Sequence, residues 1–221
     1  MDFRAFFLFM DLFPAFLKLG GRRVLLVGGG TVAASKLDVL RRAGADITVV
    51  APELHPSILA APVRLEQRLF EESDLEDVWF VVAAATPAVN GAVSRAAEQR
   101  RIFVNAVDDP ANASAYLGGV IRRSGVTFAI STNGEAPALA GLLREGLDAL
   151  LPADLDAWRD CARDIRVQWK ADGTPMSDRR PQLLEALVTL YPKGGTRTPG
   201  HDPKAAFEAS NGRPAEENSL S

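Results

Sequence analysis

Apolar residues change their spacing along this chain, and each change predicts an element. Val24-Leu25-Leu26-Val27 is an unbroken apolar run of the kind carried by a strand buried on both faces, and it leads straight into Gly28-Gly29-Gly30. Val32, Leu37, Leu40 and Ala43 then recur at helical spacing until Gly44, after which Ile47 to Val50 forms a second apolar run. Strand, glycine turn, helix and strand together make a βαβ unit. Val63 to Leu69 and Trp79 to Ala85 predict two more strands, the second passing through Ala84-Ala85-Thr86-Pro87 into a helix that starts near Ala88 or Val89 and ends about Arg100. Ile102 to Val107 predicts a further strand. If all of these run parallel, Asn105, Asp108 and Asp109 arrive at the same rim as the glycine turn, where open α/β sheets bind ligands.

The pattern changes after Pro110. Gly118 to Arg122 and Val126 to Ser131 flank Arg123-Ser124-Gly125 and predict a hairpin. Ser131 to Pro137 reads as a turn and helix entry, and Leu139, Leu142, Leu147 and Leu150 continue as a helix. A hairpin followed by a helix is a common dimer interface. A further helix carries Leu155, Trp158, Cys161, Ile165 and Trp169, with Asp154 as its expected cap and Gly173-Thr174-Pro175 beyond its end. The last helix is expected from Arg179 to Leu190, after Ser177 or Asp178 as cap, stopping at Pro192. From Gly194 onward there is little to bury, and a disordered tail is expected.

The first 17 residues are apolar and rich in phenylalanine, but they lack a basic start and a small-residue cleavage site, and Asp11 and Pro14 interrupt them. An export signal is therefore not the favoured reading. Met10-Asp11-Leu12-Phe13 echoes Met1-Asp2-Phe3, so residues 1–9 read as an upstream-start extension, while Phe13, Phe16 and Leu17 are expected to cover one face of the sheet. The expected architecture is α/β. A Rossmann-like parallel-sheet domain over 1–116 precedes a hairpin-helix dimerisation region over 117–151, a small helical domain over 152–192 and a tail over 193–221.

The glycine turn sits where a dinucleotide-binding fingerprint must sit. Gly28 permits the tight turn, Gly30 lets the backbone approach a pyrophosphate, and Ala33 allows close packing of helix on strand. Free N–H groups at the helix start, around Thr31 and Val32, together with the positive end of its dipole would hold the phosphates. An ordinary strand-to-helix turn has the same sequence form. Glu53, after Pro52, lies 23 residues beyond Gly30, near the spacing at which a carboxylate takes the adenosine ribose hydroxyls. It favours NAD over NADP, because a carboxylate repels a 2′-phosphate; a solvated turn carboxylate is the bland alternative. Thr86 is placed to hydrogen-bond the cofactor or simply to cap its helix.

Composition narrows the partners. With a net charge of −3 and no basic cluster interleaved with aromatics, a nucleic-acid partner has little electrostatic support, and no membrane span is read. Cys161 is the sole cysteine, which rules out an internal disulfide and fits a cytoplasmic setting; it is expected to pack in a core. With only His55 and His201 besides, no Cys/His metal cage can be written.

Leu12-Phe13-Pro14, Val27-Gly28-Gly29-Gly30-x-Val32-Ala33-x-x-Lys36, Ala84-Ala85-Thr86, Asn105-x-x-Asp108 and Asn133-Gly134-x-x-Pro137 with Leu142-Leu143-Arg144-Glu145 stand in the order of the siroheme-synthase family. The chain resembles that family, and within it the stand-alone precorrin-2 dehydrogenase and sirohydrochlorin ferrochelatase, over roughly Met10 to Tyr191. No second G-x-G block follows, so the methyltransferase half of some members is not expected. The resemblance implies NAD-dependent oxidation of precorrin-2 to sirohydrochlorin, then insertion of ferrous iron as substrate, in a homodimer. It puts the family's catalytic aspartate on Asp108, with Asn105 beside the substrate. Because the substrate is a polycarboxylate, Arg122, Arg123 and Arg144 are candidates for its rim, and Thr132 is expected to be a structural cap. Three other readings stay open: an NAD-binding sensor module, a dehydrogenase for another small substrate, and a dehydrogenase without chelatase activity.

Overall fold

The structure, a computed structural model, describes residues 12–190. Its contacts divide the described chain into two compact units, one up to Gly118 with Ser131–Pro137, the other comprising Gly119–Ile130 and the chain from Ala138 onward.

The first unit is built on five parallel strands, β1 (Arg23–Val27), β2 (Asp46–Val50), β3 (Arg64–Glu66), β4 (Phe80–Ala83) and β5 (Phe103–Ala106), in the order β3-β2-β1-β4-β5. The crossovers hold α1 (Thr31–Arg42), α2 (Pro56–Leu59) and α3 (Pro87–Gln99). This is a Rossmann-like sheet. Alternation along the strands splits the core in two. Leu25, Val27, Val50, Val81, Ala83, Val104 and Ala106 pack with Val93, Ala96 and Ala97 of α3. Val24, Leu26, Ile47, Val49, Phe80 and Val82 pack with Ala33, Leu37 and Leu40 of α1 and Ile58 of α2. Both faces of β1 are thus buried, which is why its sequence is an apolar run rather than an alternation. Each such Leu or Val contributes about 1.5–3 kcal/mol by leaving water.

The parallel direction of all five strands carries every β-to-α turn to one rim. Observed strands are shorter than the apolar runs. β3 keeps only three residues of the span 63–69, since it is an edge strand paired solely with Thr48–Val50 of β2.

Phe13, Phe16 and Leu17 do not cover the sheet: they are 91%, 71% and 55% exposed. The helices already fill both faces, and from this stretch it is Leu19 that packs against the core.

In the second unit, β6 (Gly119–Arg123) and β7 (Val126–Ile130) form the antiparallel hairpin, and the left-handed Ser124 and Gly125 make its two-residue turn. Three helices follow, α4 (Pro137–Leu150), α5 (Leu155–Asp172) and α6 (Met176–Thr189). Arg123 ties hairpin to helix by donating to the Asp148 carboxylate at 2.8 Å and to the Leu151 carbonyl at 3.0 Å. Arg159 of α5 reaches the Ser124 carbonyl at 2.7 Å. Trp169 donates its indole N–H to Gln182 at 2.6 Å, joining α5 to α6, and Gly173 ends α5 in the left-handed region. Two expected caps are corrected. Asp154 precedes α5 without a side-chain capping bond, and α6 starts at Met176, so Ser177 and Asp178 lie inside its first turn. Residues 176–181 carry no apolar periodicity that could have revealed that turn. Cys161 is half-buried and free. The expected start extension and tail lie outside the described residues.

Candidate active site

The rim of the first unit is shaped by backbone contacts at the glycine turn. Gly28 follows β1 with φ 129° and donates its N–H to the Val50 carbonyl at 3.0 Å. A Cβ there would stand 2.2 Å from the Ala84 carbonyl oxygen, so the turn passes between β2 and the end of β4 only because no side chain is present. At Gly29 a Cβ would stand 1.8 Å from the Glu53 carbonyl oxygen. Gly30 differs: a Cβ there would meet nothing within 4 Å. The protein itself makes no use of the missing methyl at Gly30, whereas a phosphate lying against the backbone would.

Gly30 is the N-cap of α1 and offers no side-chain cap, Thr31 and Val32 are exposed, and Ala33 is fully buried against the sheet. The start of a twelve-residue helix therefore faces solvent with its dipole end bare of acidic side chains. Across the rim, Thr86 is the N-cap of α3, yet its hydroxyl makes no capping bond and the residue is exposed. The turn before it is held instead by Asn90, buried at 2% exposure, whose Oδ1 accepts the Ala85 N–H at 3.1 Å. Pro52 and Glu53 are exposed beyond β2. A cradle lacking Cβ atoms, an uncapped helix start and an unengaged hydroxyl fit the diphosphate and sugar of a dinucleotide.

β5 delivers the acids. Val107 continues its ladder by donating to the Ala83 carbonyl at 2.9 Å, after which Asp108 turns into the left-handed region at φ 55° and is exposed. Asp109 accepts from Asn112 Nδ2 at 2.8 Å. Among the described residues the Asp108 carboxylate has no hydrogen bond or ion pair. The loop after β5 is closed at its base: Ser114 Oγ accepts the Val104 N–H at 2.9 Å, and Asn105 Nδ2 donates to the Ala115 carbonyl at 3.0 Å. Asn105 is buried, and its Oδ1 is left without a partner. Such an atom costs about 1–3 kcal/mol unless a ligand or water supplies a donor.

The Ser131–Pro137 segment belongs to this unit. At Gly134 a Cβ would stand 2.8 Å from the Tyr116 ring, and the Tyr116 hydroxyl donates to the Pro110 carbonyl at 3.4 Å. Thr132 Oγ1 accepts the Ala136 N–H at 3.3 Å, a local cap. The three arginines read as substrate contacts belong to the second unit. Arg122 is exposed, Arg123 is engaged with Asp148 and Leu151, and Arg144 pairs with Glu145 at 2.9 Å. Among the described residues no group of three or more His, Cys, Asp or Glu side chains is placed to hold a metal ion, and no helix is long and apolar enough to cross a membrane.

Residues 15–119 match the NAD_binding_7 family model, described as "Putative NAD(P)-binding". The chain is 46% identical over 176 residues to "Siroheme synthase 3" of Aeromonas hydrophila, covering 77% of this chain and 38% of that protein. It is 40% identical over 185 residues to "Siroheme synthase 1" of Yersinia pestis, covering 81% and 39%. Among solved structures, "SirC, precorrin-2 dehydrogenase" superposes with a TM-score of 0.62 at 27% identity, over 79% of this chain and 88% of that one. Over this shared region the chain is similar to siroheme synthases and to a precorrin-2 dehydrogenase.

The chain spans 38–39% of the length of the two curated relatives named above. Three of its residues escaped sequence reading: Gly29, Asn90 and Tyr116. Each acts on the rim through a contact with chain distant in sequence or through a buried polar group, and a linear motif carries no sign of either.

Proposed function

We propose that this chain oxidises precorrin-2 to sirohydrochlorin with NAD as acceptor and then inserts ferrous iron, as substrate, to form siroheme. What supports the reading is that the glycine turn, the Thr86 hydroxyl and the Asp108 carboxylate share one rim of one compact unit, in a chain similar to siroheme synthases and to a precorrin-2 dehydrogenase.

NAD, when bound, supplies the hydride acceptor. Gly28 and Gly30 keep the turn close to the diphosphate, the N–H groups of Thr31 and Val32 hold its charge, and the backbone at Pro52 presents Glu53 to the ribose hydroxyls. The uncommitted Thr86 hydroxyl would be available to hydrogen-bond the bound dinucleotide. Oxidation removes a hydride and a proton from the reduced macrocycle, and Asp108 takes the proton. In the second step Asp108, having passed the first proton to water, accepts the two ring N–H protons one at a time as iron enters and hands each on to solvent, and the ring nitrogens rather than side chains hold the metal. Asn105 offers its unpartnered Oδ1 to an N–H donor of the substrate. Arg122, Arg123 and Arg144 are candidates for the substrate's carboxylates by their charge.

The working form is a cytoplasmic homodimer in which 117–151 provides the dimerisation surface, 1–116 the cofactor domain and 152–192 the helical domain. The support for a second copy is the face of α4, where Leu142 and Leu150 are 66% and 72% exposed. The deciding experiment mixes the protein with NAD and anaerobically prepared precorrin-2 and follows NADH absorbance. Siroheme formation from sirohydrochlorin and ferrous iron tests the second step separately.

A further inference from the structure

We propose that Gly29 is a positioning residue for cofactor selection. Its bare backbone forms a seam with the loop after β2, and that seam fixes where the Glu53 carboxylate stands and so sets the preference for a dinucleotide with a free 2′-hydroxyl over one with a 2′-phosphate. The inference rests on the cradle reading of the glycine turn and goes beyond it, because Gly29 touches no part of the cofactor in that reading.

The middle position of the turn is the most tightly packed of the three. A Cβ on Gly29 would lie 1.8 Å from the Glu53 carbonyl oxygen, 2.9 Å from its carbon and 3.0 Å from Ala51 Cβ. The Gly29 carbonyl accepts the His55 N–H at 2.7 Å. The loop is also tied at its ends: Ala51 donates to the Glu66 carbonyl at 3.2 Å, and the His55 ring accepts the Ser57 N–H at 3.2 Å as the cap of α2. Between these ties Glu53 is exposed, and among the described residues its carboxylate has no hydrogen bond or ion pair. Nothing but its backbone therefore aims it, and that backbone lies on Gly29. A methyl group at position 29 would have to push the Glu53 carbonyl away by more than roughly 1 Å, a displacement large enough to break a directional carboxylate-to-hydroxyl contact.

The seam can be opened from either side. Gly29→Ala inserts the methyl. His55→Pro deletes the N–H that reaches Gly29, and His55 already has φ −60°, the value a proline ring imposes. His55→Ala keeps that N–H but removes the ring, and so measures how much of the proline effect belongs to the lost cap. Glu53→Gln removes the charge itself. The full-length chain and each variant are titrated with NAD and with NADP by calorimetry, with circular dichroism to show that each is folded. Wild type is expected to bind NAD more tightly than NADP. Glu53→Gln and Gly29→Ala are each expected to reduce the NAD-to-NADP affinity ratio at least fivefold, and His55→Pro to reduce it at least fivefold relative to His55→Ala. If Gly29→Ala does not fold, the two His55 variants decide. A wild type that binds neither coenzyme overturns the cradle reading and this proposal with it. A wild type that prefers NAD, with ratios that fall by less than these factors in the seam variants, overturns the proposal alone.

Discussion

Asn112 donates its side-chain amide to the Asp109 carboxylate at 2.8 Å, and this bond distinguishes two adjacent acids that look interchangeable in sequence. Asp109 is spent on holding its own loop, whereas Asp108, turned outward by a left-handed backbone, is free to meet a substrate. Asp108→Asn is expected to lower kcat about 100-fold or more while NAD affinity stays within about threefold, as for loss of a general base. Asp109→Asn is expected to lower stability by about 1 kcal/mol and kcat by less than about tenfold. Steady-state NADH formation, coenzyme titration and thermal melts on the two variants check the contrast.

The outer glycines of the turn should separate folding from binding. Gly28→Ala combines a positive φ with a clash against the Ala84 carbonyl, and is expected to cost about 2–4 kcal/mol of stability. Gly30→Ala meets no protein atom, so its melting curve should match wild type while coenzyme affinity falls at least about tenfold. Denaturant melts and calorimetric titration read the two effects independently.

Acid stability should depend on Asp74. Its burial raises the cost of the charge, but the Arg68 hydrogen bond, the Glu71 N–H and the nearby Arg68 charge outweigh that cost and hold its carboxyl below the ordinary aspartate value. A depressed folded-state pKa contributes stability that is complete above the unfolded value of about 3.9 and is lost as pH falls through the folded value. Asp74→Asn should therefore be less stable than wild type at neutral pH, with the gap closing below about pH 4. Urea melts as a function of pH measure the gap.

A second copy on α4 would bury Leu142, and Leu142→Glu places a charge in that surface. The variant is expected to sediment as a monomer at concentrations where wild type is a dimer, with secondary structure unchanged by circular dichroism. A wild type that stays monomeric at every accessible concentration contradicts the dimer.

The central strands were legible because β1 and β4 are covered on both faces and need continuous apolar sequence, and the tight turn at Gly28 because a glycine closing an apolar run is a local signature. Gly29 was not, since its constraint comes from the Glu53 carbonyl, which only folding brings near. Asn90 reads as an ordinary helix residue until its burial is seen. Phe13 and Phe16 misled because hydrophobicity shows a need for a partner without showing that one is vacant; both sheet faces were already filled. Val63 to Leu69 overstated β3 for a related reason: an edge strand ends where its single neighbour ends.

The most direct measurement is the absorbance of NADH after the wild-type chain is mixed with NAD and anaerobically prepared precorrin-2. The expected result is NADH formed in step with sirohydrochlorin, and its loss in Asp108→Asn. Unchanged absorbance from a folded protein that binds NAD would contradict the dehydrogenase reading.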